Sequence, residues 1–441
     1  MGRKQRLPAE PFEAEVTALD GHGAGLATHN ERQLRVWGGL PGERVMARHL
    51  FGRRFRGQAE TLEVLEASAR RVTPRCPYFG TCSACAFQHL HDDDQLAFKQ
   101  QRLFTMLDEA GAGAPESPLA PLSAGRWHYR RKARLSVRDV PAKGRVLVGF
   151  RERDGRFVMD MNECHTLADP VASRLPAISE LVGELEARAQ LPQIEASCGD
   201  SECALVFRHM EPLSDNDLDR LQRFEADTGL RVYLQSKGPE TVTPLVEGPS
   251  RLSYTLPAHD IEMVFEPLDF VQVNGELNRS MIDQALSLLE LSASDRVLDL
   301  FCGLGNFTLP LARHCDHVVG LEGAESLVGR ARDNAKRNGI DNVDYHAVDL
   351  YADPASVEWP VTGAFDAVLL DPPRPGAGPL LERVAATGAR RLLYVSCNPE
   401  TLASDARELI QVHGYRLATA GIMDMFPQTA HIEAMALFEK N

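Results

Sequence analysis

Four short apolar runs in the C-terminal part of the chain constrain its fold more than any other feature. They are Val297–Phe301, Val318–Leu321, Ala364–Leu370 and Leu392–Val395, and stretches with helical periodicity separate them. Strands that are apolar along their whole length are buried on both faces, as in a parallel sheet with helices on each side. We therefore predict an open α/β sheet from about residue 269 to the C-terminus.

A glycine-containing turn follows the first run, at the edge where such sheets bind ligands. Gly303 and Gly305 lack the Cβ that would keep a ligand from the backbone. Glu322 closes the next strand 23 residues after Asp299, close to the spacing at which an acid binds ribose hydroxyls. The phosphate-binding pattern GxGxxG is incomplete, because position 308 is not glycine. S-adenosylmethionine, a nucleoside without pyrophosphate, therefore fits better than NAD.

Two motifs follow the last two apolar runs. Asp371 begins an Asp-Pro-Pro-Arg segment, and Cys397 lies in Ser-Cys-Asn-Pro. Both should lie at one edge of the sheet, since parallel strands end together. A thiolate that adds to carbon 6 of a pyrimidine makes carbon 5 nucleophilic towards a sulfonium methyl group. Carbon 5 must afterwards lose its proton, and Glu433 is the favoured base, ahead of His431.

Three cysteines within ten residues predict a metal or cluster site. Cys76, Cys82 and Cys85 form a C-x5-C-x2-C pattern, and Cys164 is the nearest remaining partner. Spacing alone does not separate zinc from an iron-sulfur cluster, because both are held by four thiolates.

The other cysteines and the hydropathy indicate the compartment. Nine cysteines in 441 residues are too few for a secreted disulfide scaffold. Cys302 is a rival nucleophile that should face the cofactor, and we interpret Cys198, Cys203 and Cys315 as structural. The chain has no apolar run of the ~18 residues that a membrane span needs, and no apolar segment behind its basic N-terminus. We therefore predict a cytoplasmic protein without a membrane segment.

Charge is segregated along the chain. The net charge is −14, which taken alone argues against a nucleic-acid partner. Residues 126–156, however, carry 11 basic and 3 acidic side chains, and residues 1–75 carry 13 and 9. Trp127, Tyr129 and Phe157 lie among these cations, so bases could stack where phosphates are neutralised. This pattern favours polyanion binding over a neutral surface.

The N-terminal half predicts two further units. Residues 10–67 contain short alternating strands separated by turn signals, which is typical of a small β-barrel. Residues 75–268 mix strand-like and helical runs, an α+β pattern. Within them, Leu96, Leu103 and Leu107 have helical spacing and predict an amphipathic helix over 92–109.

Taken together, the motifs resemble the RNA uracil carbon-5 methyltransferases that use S-adenosylmethionine. The quoted residues that carry the resemblance are Asp371-Pro-Pro-Arg374, Ser396-Cys397-Asn398-Pro399, His431-Ile432-Glu433 and the cysteine pattern. The likeness covers nearly the whole chain, and is greatest to the members that methylate uridine 1939 of 23S ribosomal RNA and hold a 4Fe-4S cluster.

The resemblance implies a domain order and a set of site residues. It implies a TRAM barrel over 10–67, a central RNA-binding domain with the cluster over 75–268, and a Rossmann-like methyltransferase domain over 269–441. The helix near 92–109 would pack on the catalytic domain, and the protein would be a monomer.

The resemblance also implies Cys397 as nucleophile and Glu433 as base. Glu322 would bind the ribose, Asp349 the adenine side, and Asp371 would lie between cofactor and base. The implied cofactor contacts are Gln272, Phe301, Asn306, Glu322, Asp349 and Asp371; the implied cluster ligands are Cys76, Cys82, Cys85 and Cys164. Ser83 and Ala84 stand where the family usually has two glycines.

Two other functions remain open on the residues alone. An RNA-binding assembly module with a vestigial cofactor fold would need only the barrel and the basic segment, and would show no saturable S-adenosylmethionine binding. Alternatively, the same chemistry could act on transfer RNA or on another ribosomal uridine. The cysteine cluster argues against the transfer RNA enzymes, and the N-terminal barrel against a sister enzyme for a different 23S uridine.

Overall fold

The structure is a computed structural model. It describes the following residues: 10–50, 55–249, 252–352, 359–361 and 363–440. The prediction that the N-terminus is not a targeting segment concerns residues 1–9, which lie outside the described residues.

Five N-terminal strands form a closed barrel in the order β1-β2-β3-β5-β4. The strands are β1 (Phe12–Leu19), β2 (Gly25–His29), β3 (Arg32–Trp37), β4 (Arg44–His49) and β5 (Gln58–Glu66). Alternate residues such as Val16, Val36 and Val45 are buried in its interior, as the period of two along a strand requires. The predicted barrel is therefore present.

A helix and a short strand follow the barrel and join the C-terminal part of the chain. The helix α1 (Asp92–Glu109) has the predicted bounds, and the strand is β6 (Ser117–Pro118). Three aspartates fill the first turn of α1, where negative charge complements the helix dipole. Its buried face carries Gln95 and Lys99 as well as Leu103 and Leu107.

The central part is a six-stranded sheet in the order β12-β11-β10-β9-β7-β8. Its strands are β7 (Lys132–Val140), β8 (Arg145–Gly149), β9 (Gln193–Cys198), β10 (Cys203–Arg208), β11 (Arg231–Gln235) and β12 (Val242–Pro244). Its helices are α2 (Asp169–Ala172), α3 (Leu175–Glu184) and α4 (Asp215–Thr228). A separate hairpin, β13 (Ser253–Leu256) and β14 (Ile261–Val264), leads into the C-terminal part.

The C-terminal part is an eight-stranded sheet in the order β17-β16-β15-β18-β19-β21-β20-β6. Its further strands are β15 (Arg296–Leu300), β16 (His317–Glu322), β17 (Val343–Ala347), β18 (Ala367–Leu370), β19 (Arg391–Ser396), β20 (Arg416–Met423) and β21 (Glu433–Glu439). Its helices are α5 (Gly275–Leu289), α6 (Thr308–Ala312), α7 (Glu325–Arg337), α8 (Leu381–Ala386) and α9 (Pro399–Gln411). One hydrophobic core lies on each face of this sheet, and β21 runs antiparallel to its neighbours. The predicted fold class, a Rossmann-like α/β domain with a small barrel and an α+β part, is confirmed.

Helix α1 and β6 belong to this C-terminal part, although they precede the central part in sequence. Helix α1 packs on α9 and β20, and β6 pairs in parallel with the edge strand β20. The C-terminal part therefore includes α1 and β6, which lie before the central part in the chain.

Candidate active site

Strand register brings the proposed nucleophile and base together. The antiparallel pairing of β19 with β21 places Ser396 opposite Ala434. In this register the next pair is Cys397 and Glu433, which follow β19 and begin β21. On the other side of β19, the parallel strand β18 ends one residue before Asp371. The predicted residues thus meet at one edge of the sheet.

Charged neighbours surround the Cys397 thiol. Its pKa is raised to about 11, chiefly by burial and then by the negative charges of Glu433 and Asp371. The guanidinium of Arg374 acts in the opposite direction and lowers this pKa. A thiol in this setting holds its proton at neutral pH, so a nucleophilic thiolate requires that the proton be transferred elsewhere.

The Glu433 carboxyl is buried and kept basic. Burial raises its pKa, while a hydrogen bond from His431 and the charges of Arg374 and Lys99 lower it. The bond joins His431 Nε2 and Glu433 Oε1 at 2.9 Å. Burial also raises the pKa of Asp371, with Glu433 as the next cause. A carboxylate with a raised pKa is the kind of group that accepts a proton from carbon.

A cavity of about 440 Å³, here the Cys397 cavity, opens beside the thiol. It is lined by a turn of the barrel (Gly21, His22), the cysteine segment (Ser83, Ala84, Ala86), α1 (Arg102, Met106), and the loops Arg374, 397–400 and 429–432. The barrel turn closely approaches α1: the space that a Cβ at Gly21 would need is filled by the guanidinium of Arg102. A substrate that reaches Cys397 is therefore surrounded by barrel, cysteine segment and catalytic sheet.

The glycine turn after β15 leaves room for a ligand. Phe301, Gly303 and Gly305 have φ angles of +66°, +55° and +90°, and a Cβ at Gly303 would meet nothing within 4 Å. Glu322 accepts hydrogen bonds from the backbone N–H groups of Gly303 at 3.2 Å and Ala324 at 3.1 Å. These bonds hold the Glu322 carboxylate at the mouth of the turn, where a ribose binds in nucleotide folds.

Two neighbours fix the side chain of Asn306. The Tyr254 hydroxyl donates to Asn306 Oδ1 at 2.8 Å, and the amides of Asn278 and Asn306 exchange two hydrogen bonds at 3.0 and 2.9 Å. Gln272 is half-buried and lies two residues before Asn274, the N-cap of α5. The turn is thereby tied to the hairpin β13–β14 and to α5.

The remaining predicted cofactor residues lie along the same edge. Asp349 is exposed and accepts from the Tyr351 backbone N–H at 3.0 Å, and the Tyr351 ring lies 5.6 Å from that of Phe301. Asp299 is buried below the turn, where Thr308 Oγ1 donates to its Oδ2 at 2.5 Å. Its Oδ1 has no hydrogen-bond partner within the described chain, and burial raises its pKa to about 7.

The four predicted cluster ligands converge in one region as free thiols. Burial raises the pKa of Cys82 to about 11 and of Cys85 to about 12, and both also experience the charge of Cys164. Cys76 likewise experiences the charge of Cys164. In the described ranges, however, no group of three or more His, Cys, Asp or Glu side chains is arranged to hold a metal ion. The cluster therefore stays a prediction.

The other cysteines lie apart from Cys397. Cys198 and Cys203 face each other on β9 and β10 and form a disulfide. Cys302 is buried near Asp299 and Glu322, which together with burial raise its pKa. It therefore lies on the side of the site where the cofactor is predicted to bind.

Sequence reasoning missed an ion pair behind the predicted base, Glu433. Lys99 of α1 donates to Asp424 Oδ1 at 2.6 Å and to the Phe426 carbonyl at 3.1 Å. The side chains of Lys99 and Asp424 are 0% and 3% exposed. A signal was present, since Lys99 lies on the apolar stripe between Leu96 and Leu103 at helical spacing.

The loop that leads to Glu433 is also held by the cysteine segment. The Gln428 carbonyl accepts from the backbone N–H groups of Ala86 at 2.8 Å and Phe87 at 3.0 Å. Gln95 of α1 hydrogen-bonds the same residue at its backbone and its side chain. Two separate parts of the chain, the cysteine segment and α1, therefore position the loop that leads to the proposed base.

Comparisons with known proteins establish the family. The model of the family described as tRNA (Uracil-5-)-methyltransferase matches residues 92–353 and 362–441, so the chain belongs to that family. It is 51% identical to the 23S rRNA (uracil(1939)-C(5))-methyltransferase RlmD of Alkalilimnicola ehrlichii, over 99% of this chain and 98% of the relative. The RlmD of Stenotrophomonas maltophilia is 46% identical over 99% of both chains. The family resemblance stated from the sequence is confirmed.

A solved structure has the same fold across the whole chain. It is the tRNA (uracil-54, C5)-methyltransferase of Pyrococcus abyssi in complex with S-adenosyl-L-homocysteine, with a TM-score of 0.74 and 23% identity. The match covers 97% of this chain and 99% of that one. Within the described residues, no helix is both long and apolar enough to cross a membrane.

Proposed function

We propose that this protein transfers a methyl group from S-adenosylmethionine to carbon 5 of uridine 1939 in 23S ribosomal RNA. The observation that carries the proposal is the closeness of Cys397, Glu433 and Asp371, which act on one another electrostatically just beyond the last pair of β19 with β21, Ser396 and Ala434. The family supplies the reaction class, and the relatives named RlmD supply the RNA and the position.

Cys397 is the proposed nucleophile. Its sulfur bonds to carbon 6 of the uracil, and the electron pair of the 5,6 double bond becomes available at carbon 5. S-adenosylmethionine, when bound, supplies an electrophilic methyl group to that carbon. Arg374 lowers the pKa of the thiol and therefore favours the thiolate that must attack.

Glu433 is the proposed base that completes the reaction. Its carboxylate removes the proton from carbon 5, the double bond forms again, and the bond between carbon 6 and the sulfur breaks. The thiolate of Cys397 is thereby regenerated. The raised pKa of Glu433 suits this role, because a stronger base removes a carbon-bound proton more readily.

The cofactor edge fits S-adenosylmethionine. The open space beside Gly303 and the backbone-held Glu322 suit a nucleoside whose ribose approaches the turn closely. We assign its binding to Gln272, Phe301, Asn306, Glu322, Asp349 and Asp371. Among these, Asp349 is placed on the adenine side and Asp371 between cofactor and uracil.

We propose that the four free thiols of Cys76, Cys82, Cys85 and Cys164 hold a 4Fe-4S cluster. The mutual electrostatic effects of these cysteines support the proposal, because they require that the thiols lie near one another. We propose a structural role, in which the cluster clamps the segment that binds Gln428. Iron content and visible absorbance of anaerobically purified protein test this, and Cys164→Ser should lose both, whereas Cys315→Ser should keep them.

The roles of the domains follow from the proposed RNA target. We propose that the barrel over 10–67 and the central part over 75–268 bind RNA, and that residues 269–441 with α1 carry out catalysis. We further propose that the protein acts as a monomer in the cytoplasm.

The test combines mass mapping with two variants. Purified protein, S-adenosylmethionine and unmodified 23S RNA should yield one methyluridine, at position 1939. Cys397→Ala should abolish methyl transfer while RNA binding remains measurable. Glu433→Gln should accumulate a covalent RNA–protein adduct on a denaturing gel, because the carbon-5 proton then stays in place. Methyl transfer by Cys397→Ala would contradict the mechanism, and a methyl group at another uridine would contradict the target.

A further inference from the structure

A second concavity lies on the central sheet, outside the Cys397 cavity. This central groove has a volume of about 860 Å³. Its floor includes the apolar side chains of Val137, Leu147 and Leu191. Its lining contains five basic residues, Arg138, Lys143, Arg151, Arg156 and Arg188, against two acidic ones, Asp139 and Glu152. A positive surface on a chain with a net charge of −14 indicates a local partner that is anionic.

Among the described residues, part of this positive charge is not neutralised by carboxylates. Lys143, Arg156 and Arg188 form ion pairs with Asp160, Asp154 and Asp139 respectively. Arg151 instead donates to the carbonyl oxygen of Gly155 at 3.0 Å, and Arg138 is exposed on β7. Phosphates of a bound polyanion can therefore contact Arg138 and Arg151 without displacing an internal ion pair.

The groove also presents exposed apolar side chains beside the cations. Phe157 is 57% exposed and Met210 is 58% exposed, and both line the groove. The Arg156 guanidinium lies 5.4 Å from the centre of the Phe157 ring. An exposed aromatic ring among cations is the arrangement on which unpaired nucleobases stack while their phosphates are neutralised.

One pair of bonded residues separates the central groove from the Cys397 cavity. Ser83 lines the cavity and Arg151 lines the groove. The backbone N–H and the Oγ of Ser83 both donate to the Arg151 carbonyl, at 3.0 and 2.8 Å. The neighbouring Arg153 lies 4.0 Å from the centre of the Trp37 ring, which holds this segment against the barrel. A strand of RNA that leaves the cavity past Ser83 therefore arrives at the groove.

We propose that the central groove binds unpaired nucleotides that adjoin the target uridine in the RNA. Their phosphates contact Arg138 and Arg151, and one base stacks on Phe157. This inference rests on the proposed function, because it takes the RNA bound at Cys397 as the source of the flanking nucleotides. The groove thereby favours a target whose neighbours are single-stranded over one within a helix.

The test compares how the wild type and the variants bind a long and a short RNA. Dissociation constants are measured for two labelled RNAs, one with unpaired nucleotides on both sides of the target uridine and one from which these flanking nucleotides are removed. We expect Phe157→Ala to weaken binding of the long RNA roughly 5- to 150-fold, the range of one base–aromatic stack, and to leave the short RNA unchanged. The double variant Arg138→Glu/Arg151→Glu should likewise affect only the long RNA, and should reduce the salt dependence of its binding.

Matched controls lie outside the groove. Arg223 is exposed on α4 and Val412 is 71% exposed on the catalytic part, so Arg223→Glu and Val412→Ala should bind both RNAs like the wild type. The inference is overturned if the groove variants bind the long RNA normally, or if they weaken both RNAs equally. Methyl transfer by the wild type is measured on the same long RNA. If the wild type methylates the long RNA and the groove variants bind it normally, only the proposed role of the groove is rejected. If the wild type does not methylate it, the proposed function is rejected.

Discussion

The buried pair Lys99–Asp424 allows a sharp test of how the proposed base, Glu433, is held. Lys99→Met keeps the length of the side chain and removes its charge, so the Asp424 carboxylate stays buried without its cation. Both side chains are almost fully enclosed, at 0% and 3% exposure, and their ion pair is 2.6 Å long. Water therefore cannot replace the lost ammonium without opening the contact between α1 and the 424–431 loop.

The expected loss of stability is large. Removing one partner of a buried ion pair costs about 3–5 kcal/mol, because an uncompensated charge remains. For a cooperative unit of 150–250 residues, each kcal/mol lowers the melting temperature by about 2–4 °C, so the fall is roughly 6–20 °C. Differential scanning calorimetry measures it. Lys336→Met, at an exposed position on α7, serves as the matched control and should change the stability by less than about 0.5 kcal/mol.

Activity adds a second readout. The positive charge of Lys99 lowers the pKa of Glu433, so its removal should raise that pKa further. The acid limb of the pH–rate profile then moves to higher pH, because Glu433 must be ionised to remove the proton. A merely structural role for Lys99 would lower activity without moving this limb.

The double variant Lys99→Met/Asp424→Leu tests whether the unpaired charge of Asp424 causes the loss of stability. Replacing a whole buried ion pair by apolar side chains is often neutral or stabilising, so most of the lost stability should return. A single variant as stable as the wild type would refute the argument. So would a double variant no more stable than the single one.

Three further predictions concern the two ends of the site. Arg374→Gln should raise the pKa of both Cys397 and Glu433, which Arg374 lowers, and so move the pH–rate profile to higher pH; an unchanged profile between pH 6 and 10 would contradict this. Tyr254→Phe removes one of the hydrogen bonds that hold Asn306. It should weaken S-adenosylmethionine binding by up to about tenfold in calorimetry, and unchanged affinity would show that this hydroxyl does not contribute to cofactor binding. Asp299 has a folded-state pKa of about 7, above its unfolded value, so the wild type loses stability as the pH rises through about 4 to 7. Asp299→Asn should remove that dependence and make the protein more stable at pH 8, by up to roughly 4 kcal/mol in denaturant unfolding.

The sequence predicted those parts of the fold that local pattern determines. The strands β15, β16, β18 and β19 are buried on both faces, so their apolar runs are continuous and easily recognised. Helix α1 was predicted with its observed bounds because its leucines repeat at helical spacing. The motifs at the ends of β18 and β19 then placed Asp371 and Cys397 at one edge.

Contacts between distant parts of the chain could not be predicted in this way. The pairing of β19 with β21 follows from a register that no local pattern encodes, and it alone puts Glu433 opposite Cys397. The hydrogen bond between Gln95 and Gln428 spans 333 residues, and the Lys99–Asp424 pair spans 325. A polar residue on an apolar helix face indicates a buried partner, but not which one.

The position of α1 in the sequence has a consequence for synthesis. The helix leaves the ribosome long before the loop that receives Lys99, which lies 325 residues later. At about 5–20 residues per second, that interval is roughly 15 to 65 seconds. Throughout it the nascent chain carries Lys99 on an apolar stripe without the carboxylate of Asp424, and all strands of the barrel and the central sheet are made before that carboxylate. The C-terminal part is thus completed by the last residues of the chain, which pack on a helix synthesised long before. A chain that ends before Asp424 would leave Lys99 without its partner.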